Sequence, residues 1–201
     1  MNNRLIIVGA GGHGRVCADI AALVGYGEIC FLDDSNVAGM NVIGKVSDFT
    51  KYVRNADFFV AIGNNETRQR LYAIMKEAGA NIVSLVHPAS TVAPSVKIGS
   101  GVAIMAGAVI NNGVTIGDGV IINTCSSVDH DCRISDFTHI SVGAHLAGSV
   151  TVGARAFIAA GVTVINNLNV YDDCIIGAGA VVISNINERG TYVGVPARLK
   201  K

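Results

Sequence analysis

The chain has 201 residues, with 15 basic side chains against 15 acidic ones and no basic run or stripe, which argues against a nucleic-acid or anionic-membrane partner. Half of the residues are apolar but only 5% are aromatic, and no uninterrupted apolar stretch is long enough to span a bilayer. Five scattered cysteines (Cys17, Cys30, Cys125, Cys132 and Cys174) without Cys-x-x-Cys spacing read as reduced thiols of a cytoplasmic protein, and the apolar start Leu5–Ala10 is too short for a signal peptide.

The first elements alternate. Leu5–Val8 is a short apolar strand, followed by the glycine loop Gly9-Ala10-Gly11-Gly12-His13-Gly14 and a helical stretch to about Leu23. Glu28–Leu32 reads as a second strand, ending in Asp33-Asp34, and Ala56–Ile62 as a third, running into Gly63-Asn64-Asn65. The run from Glu66 to Ala78 places apolar residues at Leu71, Ile74, Met75 and Ala78, which suits an amphipathic helix, and Ile82–Val86 is a last strand. Strands alternating with helices predict a small parallel, Rossmann-like α/β domain over residues 1–87. Its glycine loop lies between a strand and a helix, so backbone N–H groups can cradle a phosphate, and Asp33 stands where a carboxylate takes ribose hydroxyls. The sheet has only half the strands of a dinucleotide fold, so one nucleotide or a nucleotide-sugar fits it better than NAD.

From Val92 the grammar changes. Every sixth residue up to Val182 is Val, Ile or Leu, sixteen in all, and the column three positions later, from Ser95 and Gly101 to Asn185, contains none. A period of six fits neither a helix nor simple strand alternation; with turn glycines it predicts a parallel β-helix over residues 92–187, in a domain 88–201 whose C-terminal tail, Glu188–Lys201, leaves the register. Three hexads make one triangular coil with the aliphatic residue inside, so the repeats give about five coils and ~25 Å of prism. A lone prism exposes three flat faces, and the chain's positive mean hydropathy requires that something cover them. A homotrimer is the expected solution.

The chemistry-bearing residues of the prism are histidines. Asp129-His130-Asp131 puts an imidazole between two carboxylates, an arrangement in which one ring nitrogen is held and the other is free to act as a base. His139 and His145 are six apart and so occupy equivalent places on successive faces. Zinc held by His130, His139 and His145 is disfavoured by their bunched spacing, and no metal is expected. Cys125 and Cys132 lie nearby without an evident activating partner, so no covalent enzyme intermediate is needed.

Taken together, Gly9-Ala-Gly-Gly-His13-Gly14, Phe31-Leu-Asp33-Asp34, Ala61-Ile-Gly63-Asn64-Asn65-Glu66, Asn123-Thr124, Asp129-His130-Asp131, His139-Ile-Ser-Val-Gly143-Ala144, Ala147-Gly148 and Tyr192-Val-Gly-Val-Pro196-Ala197 resemble the bacterial hexapeptide-repeat sugar acyltransferases with an N-terminal nucleotide-sugar domain. The chain looks most like the UDP-4-amino-sugar N-acetyltransferases of di-N-acetylbacillosamine synthesis. The resemblance covers essentially the whole chain and implies a left-handed β-helix, a homotrimer, and acetyl-CoA as co-substrate. It implies His130 as general base, Asp131 as the carboxylate that orients it, and the Gly148 N–H as donor to the carbonyl oxygen. Those relatives usually carry Glu where Asp131 stands, and often serine where Gly11 stands. For the nucleotide-sugar it implies Gly12, His13, Gly14, Asp33, Asp34, Ala61, Ile62, Gly63 and Asn64, and for acetyl-CoA it implies Asn123, His139, Gly148, Ala160, Gly161 and Ala178. The expected activity is N-acetylation of the 4-amino group of a UDP-linked amino-dideoxy sugar. The alternatives are N-acetylation of a GDP-linked 4-amino sugar, O-acetylation of a sialic-acid-type sugar and, from a different class, an NAD-dependent oxidoreductase, which would need a second catalytic domain.

Overall fold

The computed structural model describes residues 3–35 and 37–200. The chain divides into two compact units, residues 1–88 and 89–201.

The first unit is a parallel sheet with strands β1 (Arg4–Val8), β2 (Glu28–Leu32), β3 (Val42–Gly44), β4 (Asp57–Val60) and β5 (Asn81–Ile82), and helices α1 (Gly12–Leu23) and α2 (Asn65–Glu77). The strand order is β3-β2-β1-β4-β5. Leu5, Ile6, Ile7 and Val8 of the central strand are fully buried, as an unbroken apolar run on a sheet covered on both faces requires. Asp57 is also fully buried, and its carboxylate is satisfied by the Tyr26 hydroxyl at 2.9 Å and the Asn81 amide at 2.8 Å.

Three features differ from the sequence reading. The half-buried strand β3 and a 3-10 helix at Val46–Lys51 fill a segment in which no periodic pattern is visible. The expected strand Ile82–Val86 is two separate pairs, Asn81–Ile82 and Leu85–Val86. The buried stripe of α2 is Arg68, Tyr72 and Met75, while Ile74 is 45% exposed, so an arginine occupies the inner face that hydropathy assigned to aliphatics.

The second unit is a left-handed parallel β-helix. Two-residue strands stack on three faces. The first face carries Val109–Ile110, Ser127–Val128, His145–Leu146 and Thr163–Val164, the second Thr115–Ile116, Arg133–Ile134 and Thr151–Val152, and the third Ile121–Ile122, His139–Ile140 and Phe157–Ile158. Partners are 18 residues apart as far as Val182, so Ile122, Ile140 and Ile158 lie in one inward column; the last parallel pairings, Ile175 with Thr191 and Val170 with Ile186, are 16 apart. Of the sixteen aliphatics, the fourteen from Ile104 to Val182 are buried, whereas Ile98 is 37% exposed and Val92 half-buried. These two belong to the first coil, which lacks a preceding coil to stack on. Every sixth residue from Gly101 to Gly179 has positive φ, glycine or not. Each face therefore ends in a two-residue turn whose second residue is left-handed, which is why glycine recurs there. The column two residues before each aliphatic (Val102, Ala108, Val114, Val120, Ser126, Cys132) is buried, and Ser126 Oγ donates to the Asn123 carbonyl at 2.7 Å.

Candidate functional site

In the first unit, the candidate residues gather at the carboxyl ends of β1, β2 and β4. The strand order reverses between β1 and β4, and an open parallel sheet forms its ligand crevice at such a point. The glycine loop is pinned from below: the Ala10 N–H donates to Asp33 Oδ2 at 2.7 Å, and Asp33 Oδ1 accepts from the Ser35 N–H at 2.8 Å. Gly14 is required by packing, because a Cβ there would run into the Gly9 carbonyl oxygen. Helix α1 begins with Gly11 as N-cap and no side-chain cap, which leaves the N–H groups of Gly12, His13 and Gly14 facing the loop as an anion cradle. A Cβ on Gly11 would meet nothing within 4 Å, so the loop has room for a side chain at that position.

Asp34 is exposed, with Oδ1 accepting from the Val46 N–H at 3.1 Å. On the β4 side, Ala61 is tied to the sheet by its N–H to the Val8 carbonyl at 2.8 Å, Gly63 and Asn64 are exposed, and Asn64 Oδ1 caps α2 through the Thr67 N–H at 2.9 Å. His13 is half-buried, with both ring nitrogens within 3.9 Å of Cys17 Sγ. Burial, helped by the positive charge of Arg68, pushes its pKa down to about 4, so the ring is neutral at pH 7. Burial also raises the Cys17 thiol, which stays protonated.

In the prism, the candidates fall on two edges of the first face. One edge carries His130-Asp131, and one coil further on Gly148-Ser149, with the Ser149 N–H donating to the His130 carbonyl at 2.8 Å. His130 sits at the first position of the turn, off the strand, which is why its side chain is 58% exposed. Its Nδ1 lies 2.9 Å from Asp131 Oδ2, so the shorter carboxylate does reach the ring. That bond, with the Asp129 charge second, raises the imidazole pKa above its usual value. Asp129 is itself held by the Asn111 amide at 2.7 Å and the His130 N–H at 2.8 Å. Gly148 is buried under the ring: a Cβ built on it would come within 2.5 Å of both Cε1 and Nε2 of His130.

The other edge carries Thr124, Val142, Ala160 with Gly161, and Ala178, in successive turns one coil apart, with Gly161 N–H to the Val142 carbonyl at 3.0 Å and Gly179 N–H to the Ala160 carbonyl at 2.9 Å. Ala160, Gly161 and Ala178 are exposed and present no side chain beyond Cβ. Beside them Asn123 Nδ2 is 3.0 Å from His139 Nε2, which brings those two together, and Phe157 packs edge-on against the His139 ring with centroids 5.2 Å apart. Gly148 therefore stands with His130 and not with Ala160 and Ala178. Between the edges, the first face forms an open groove of about 460 Å³ lined by Asn111, Ser127, Asp129, His145, Thr163 and Asn166 among others.

Sequence reasoning missed three parts of these sites. Asn111 and Asp129 form one pair, and Ser127 Oγ, 2.9 Å from His145 Nδ1, another; the signal for both is their 18-residue spacing, one coil. Arg68 is the third, and its signal is a lone charge on the inner face of α2. Cys132 is fully buried and its thiol is raised by that burial, which leaves it unsuited as a nucleophile. Among the described residues no group of three His, Cys, Asp or Glu side chains could hold a metal ion, and no helix is long and apolar enough to cross a membrane.

Residues 4–75 match the family described as the PglD N-terminal domain, and residues 95–130 the family described as bacterial transferase hexapeptide (six repeats). The chain is 31% identical over 175 residues to the GDP-perosamine N-acetyltransferase of Escherichia coli O157:H7, a match that covers 79% of this chain and 76% of that protein. It is 34% identical over 109 residues to the UDP-N-acetylbacillosamine N-acetyltransferase of Bacillus subtilis (strain 168), covering 50% of each. Among solved structures, the acetyltransferase domain of PglB from Neisseria gonorrhoeae FA1090 in complex with acetyl coenzyme A is similar at a TM-score of 0.96 and 40% identity, over 100% of both chains.

Proposed function

Since the chain belongs to the hexapeptide-repeat sugar-nucleotide N-acetyltransferases with a PglD-type N-terminal domain, we propose that it transfers the acetyl group of acetyl-CoA to the 4-amino group of a UDP-linked amino-dideoxy sugar of the di-N-acetylbacillosamine type. The observation that carries the chemistry is the His130–Asp131 pair at 2.9 Å, stacked on Gly148. Asp131 holds the proton on Nδ1 and leaves the Nε2 lone pair to act as base. The acceptor amine attacks the thioester carbonyl and loses a proton to Nε2. The tetrahedral intermediate then collapses, the C–S bond breaks, and the proton passes from His130 to the departing CoA thiolate. The Gly148 N–H, which donates to no protein acceptor among the described residues, stabilises the developing oxyanion. No step passes through an enzyme-bound acyl group.

The small residues Ala160, Gly161 and Ala178 on that edge suit the pantetheine arm of acetyl-CoA, with Asn123 and His139 near the thioester. In the first unit, the uncapped N-terminus of α1 takes the diphosphate and Asp33-Asp34 the nucleoside side. We assign the active form as a homotrimer, because Val109, Ile165 and Ile175 on the prism surface are each more than a third exposed in the single chain. The five free cysteines fit a reducing, cytoplasmic setting.

A GDP-linked 4-amino sugar is the second reading. It is favoured by the match to the GDP-perosamine enzyme, which extends over 76% of that protein, against 50% for the bacillosamine enzyme. Thiol release from acetyl-CoA, measured against UDP-, GDP- and dTDP-linked 4-amino sugars, separates the two. Turnover with the UDP sugar above the others supports the first reading, turnover with the GDP sugar the second, and turnover with none of them overturns both.

A further inference from the structure

Arg68 is the largest fully buried side chain among the described residues, only 1% exposed. It stands in the first turn of α2, the end of a helix where a positive charge is least welcome. Its burial lowers the guanidinium pKa to about 10. A fold that only needed to fill this space would place an aliphatic residue here at no electrostatic cost.

The guanidinium instead reaches back along its own helix into the loop that precedes it. Its Nη1 donates to the Ile62 carbonyl at 2.9 Å and the Gly63 carbonyl at 3.1 Å, and its Nη2 donates to Asn65 Oδ1 at 2.9 Å. Two consecutive carbonyls are thus turned inward, toward the guanidinium. The loop that they belong to is exposed at Gly63 and Asn64 and lies at the β1/β4 reversal, on the side where an open parallel sheet receives its ligand. The Asn64 side chain is already committed to capping α2. What the loop presents outward is therefore set by which way its peptide planes face, and Arg68 sets that.

We propose that Arg68 is a positioning residue for the nucleotide moiety of the substrate: by clamping the Ile62 and Gly63 carbonyls it fixes the Gly63–Asn64 segment in the conformation that receives the nucleotide. The inference rests on the reading of the first unit as the nucleotide-sugar site. The electrostatic influence of Arg68 on His13, across from the glycine loop, agrees with the two loops lining one crevice.

The test is direct calorimetric binding of UDP and of GDP to the full chain, for the wild type, Arg68→Met and Arg68→Lys, alongside steady-state kinetics. Loss of charge-assisted bonds to the loop predicts that Arg68→Met weakens whichever nucleotide the wild type binds by about 10–100-fold. Arg68→Lys, which keeps the charge but not the fork, falls between. KM for acetyl-CoA and kcat at saturating acceptor stay within about twofold. Unchanged nucleotide binding in Arg68→Met overturns the inference, as does a parallel loss of kcat and of both KM values in both variants, which marks a general structural role. If Arg68→Met does not fold, Arg68→Lys decides alone, and binding equal to wild type overturns the inference. A wild type that binds neither nucleotide overturns the nucleotide site itself, a result separate from any difference among variants.

Discussion

The imidazole of His130 lies across Gly148, one coil further along the same edge of the prism, so closely that a Cβ on Gly148 would sit 2.5 Å from Cε1 and from Nε2. Gly148 is not among the residues with positive φ, so alanine fits its backbone and the consequence of the substitution is purely steric. Gly148→Ala should push the ring off its seat while leaving the coil intact. A displacement of about 1 Å at a catalytic group costs on the order of 10²-fold. We expect kcat to fall by about that factor with an unchanged melting temperature. A Gly148→Ala enzyme with full activity would show that the ring position is not critical.

The His130–Asp131 pair makes a prediction in pH. As the proposed base, His130 works only when unprotonated, and the Asp131 bond, with the Asp129 charge behind it, raises its pKa above the usual histidine value of about 6.5. Activity should therefore rise with pH through a limb lying above that value. Asp131→Asn removes the larger cause and should move the limb down, leaving the smaller contribution of Asp129. His130→Ala should lower kcat by about 10²–10⁴-fold with little change in either KM. A limb that stays in place in Asp131→Asn would show that another group titrates.

The interior column makes a prediction about stability. Ile140 is fully buried between Ile122 and Ile158, and its truncation to alanine should cost about 2–5 kcal/mol by denaturant titration. Ile98, 37% exposed in the first coil, should cost much less when truncated. Equal losses at the two positions would mean that the first coil is covered in solution. Ile140→Asp buries an unpaired charge and should not fold.

The prism was legible because its period is a property of each residue's side chain: an aliphatic at Ile122, Ile140 and Ile158 can only be read as one column once the six-residue spacing is seen. The same spacing places Gly148 a coil beyond His130, and the structure adds only that the ring folds over it. The first unit was harder. Strand β3 is three residues long and half-buried, so hydropathy carries no trace of it. In α2 the residue that matters for the neighbouring loop is a buried arginine, and a pattern search that looks for apolar residues selects Ile74 instead, which faces outward. The Asn111–Asp129 and Ser127–His145 pairs depend on the stacking of coils, which becomes visible only when residues 18 apart are compared.

Asp33 and Asp34 are neighbours with different duties, and substitution should separate them. Both oxygens of Asp33 are engaged by backbone N–H groups, one of them from Ala10 inside the glycine loop. Asp33→Ala should therefore loosen that loop, lowering the melting temperature together with nucleotide affinity. Asp34 is exposed and, among the described residues, engages Oδ1 alone, for the Val46 N–H at 3.1 Å, which leaves Oδ2 to meet a ligand. Asp34→Ala should raise KM for the sugar nucleotide by about tenfold, the usual worth of a hydrogen bond to a charged group, and leave KM for acetyl-CoA nearly unchanged. The measurement is a pair of steady-state titrations with each substrate varied in turn, together with a thermal melt. If Asp34→Ala destabilised the protein as much as Asp33→Ala and left the sugar-nucleotide KM alone, its carboxylate would be a turn brace like its neighbour, and the nucleoside would have to be held elsewhere along the carboxyl edge of the sheet.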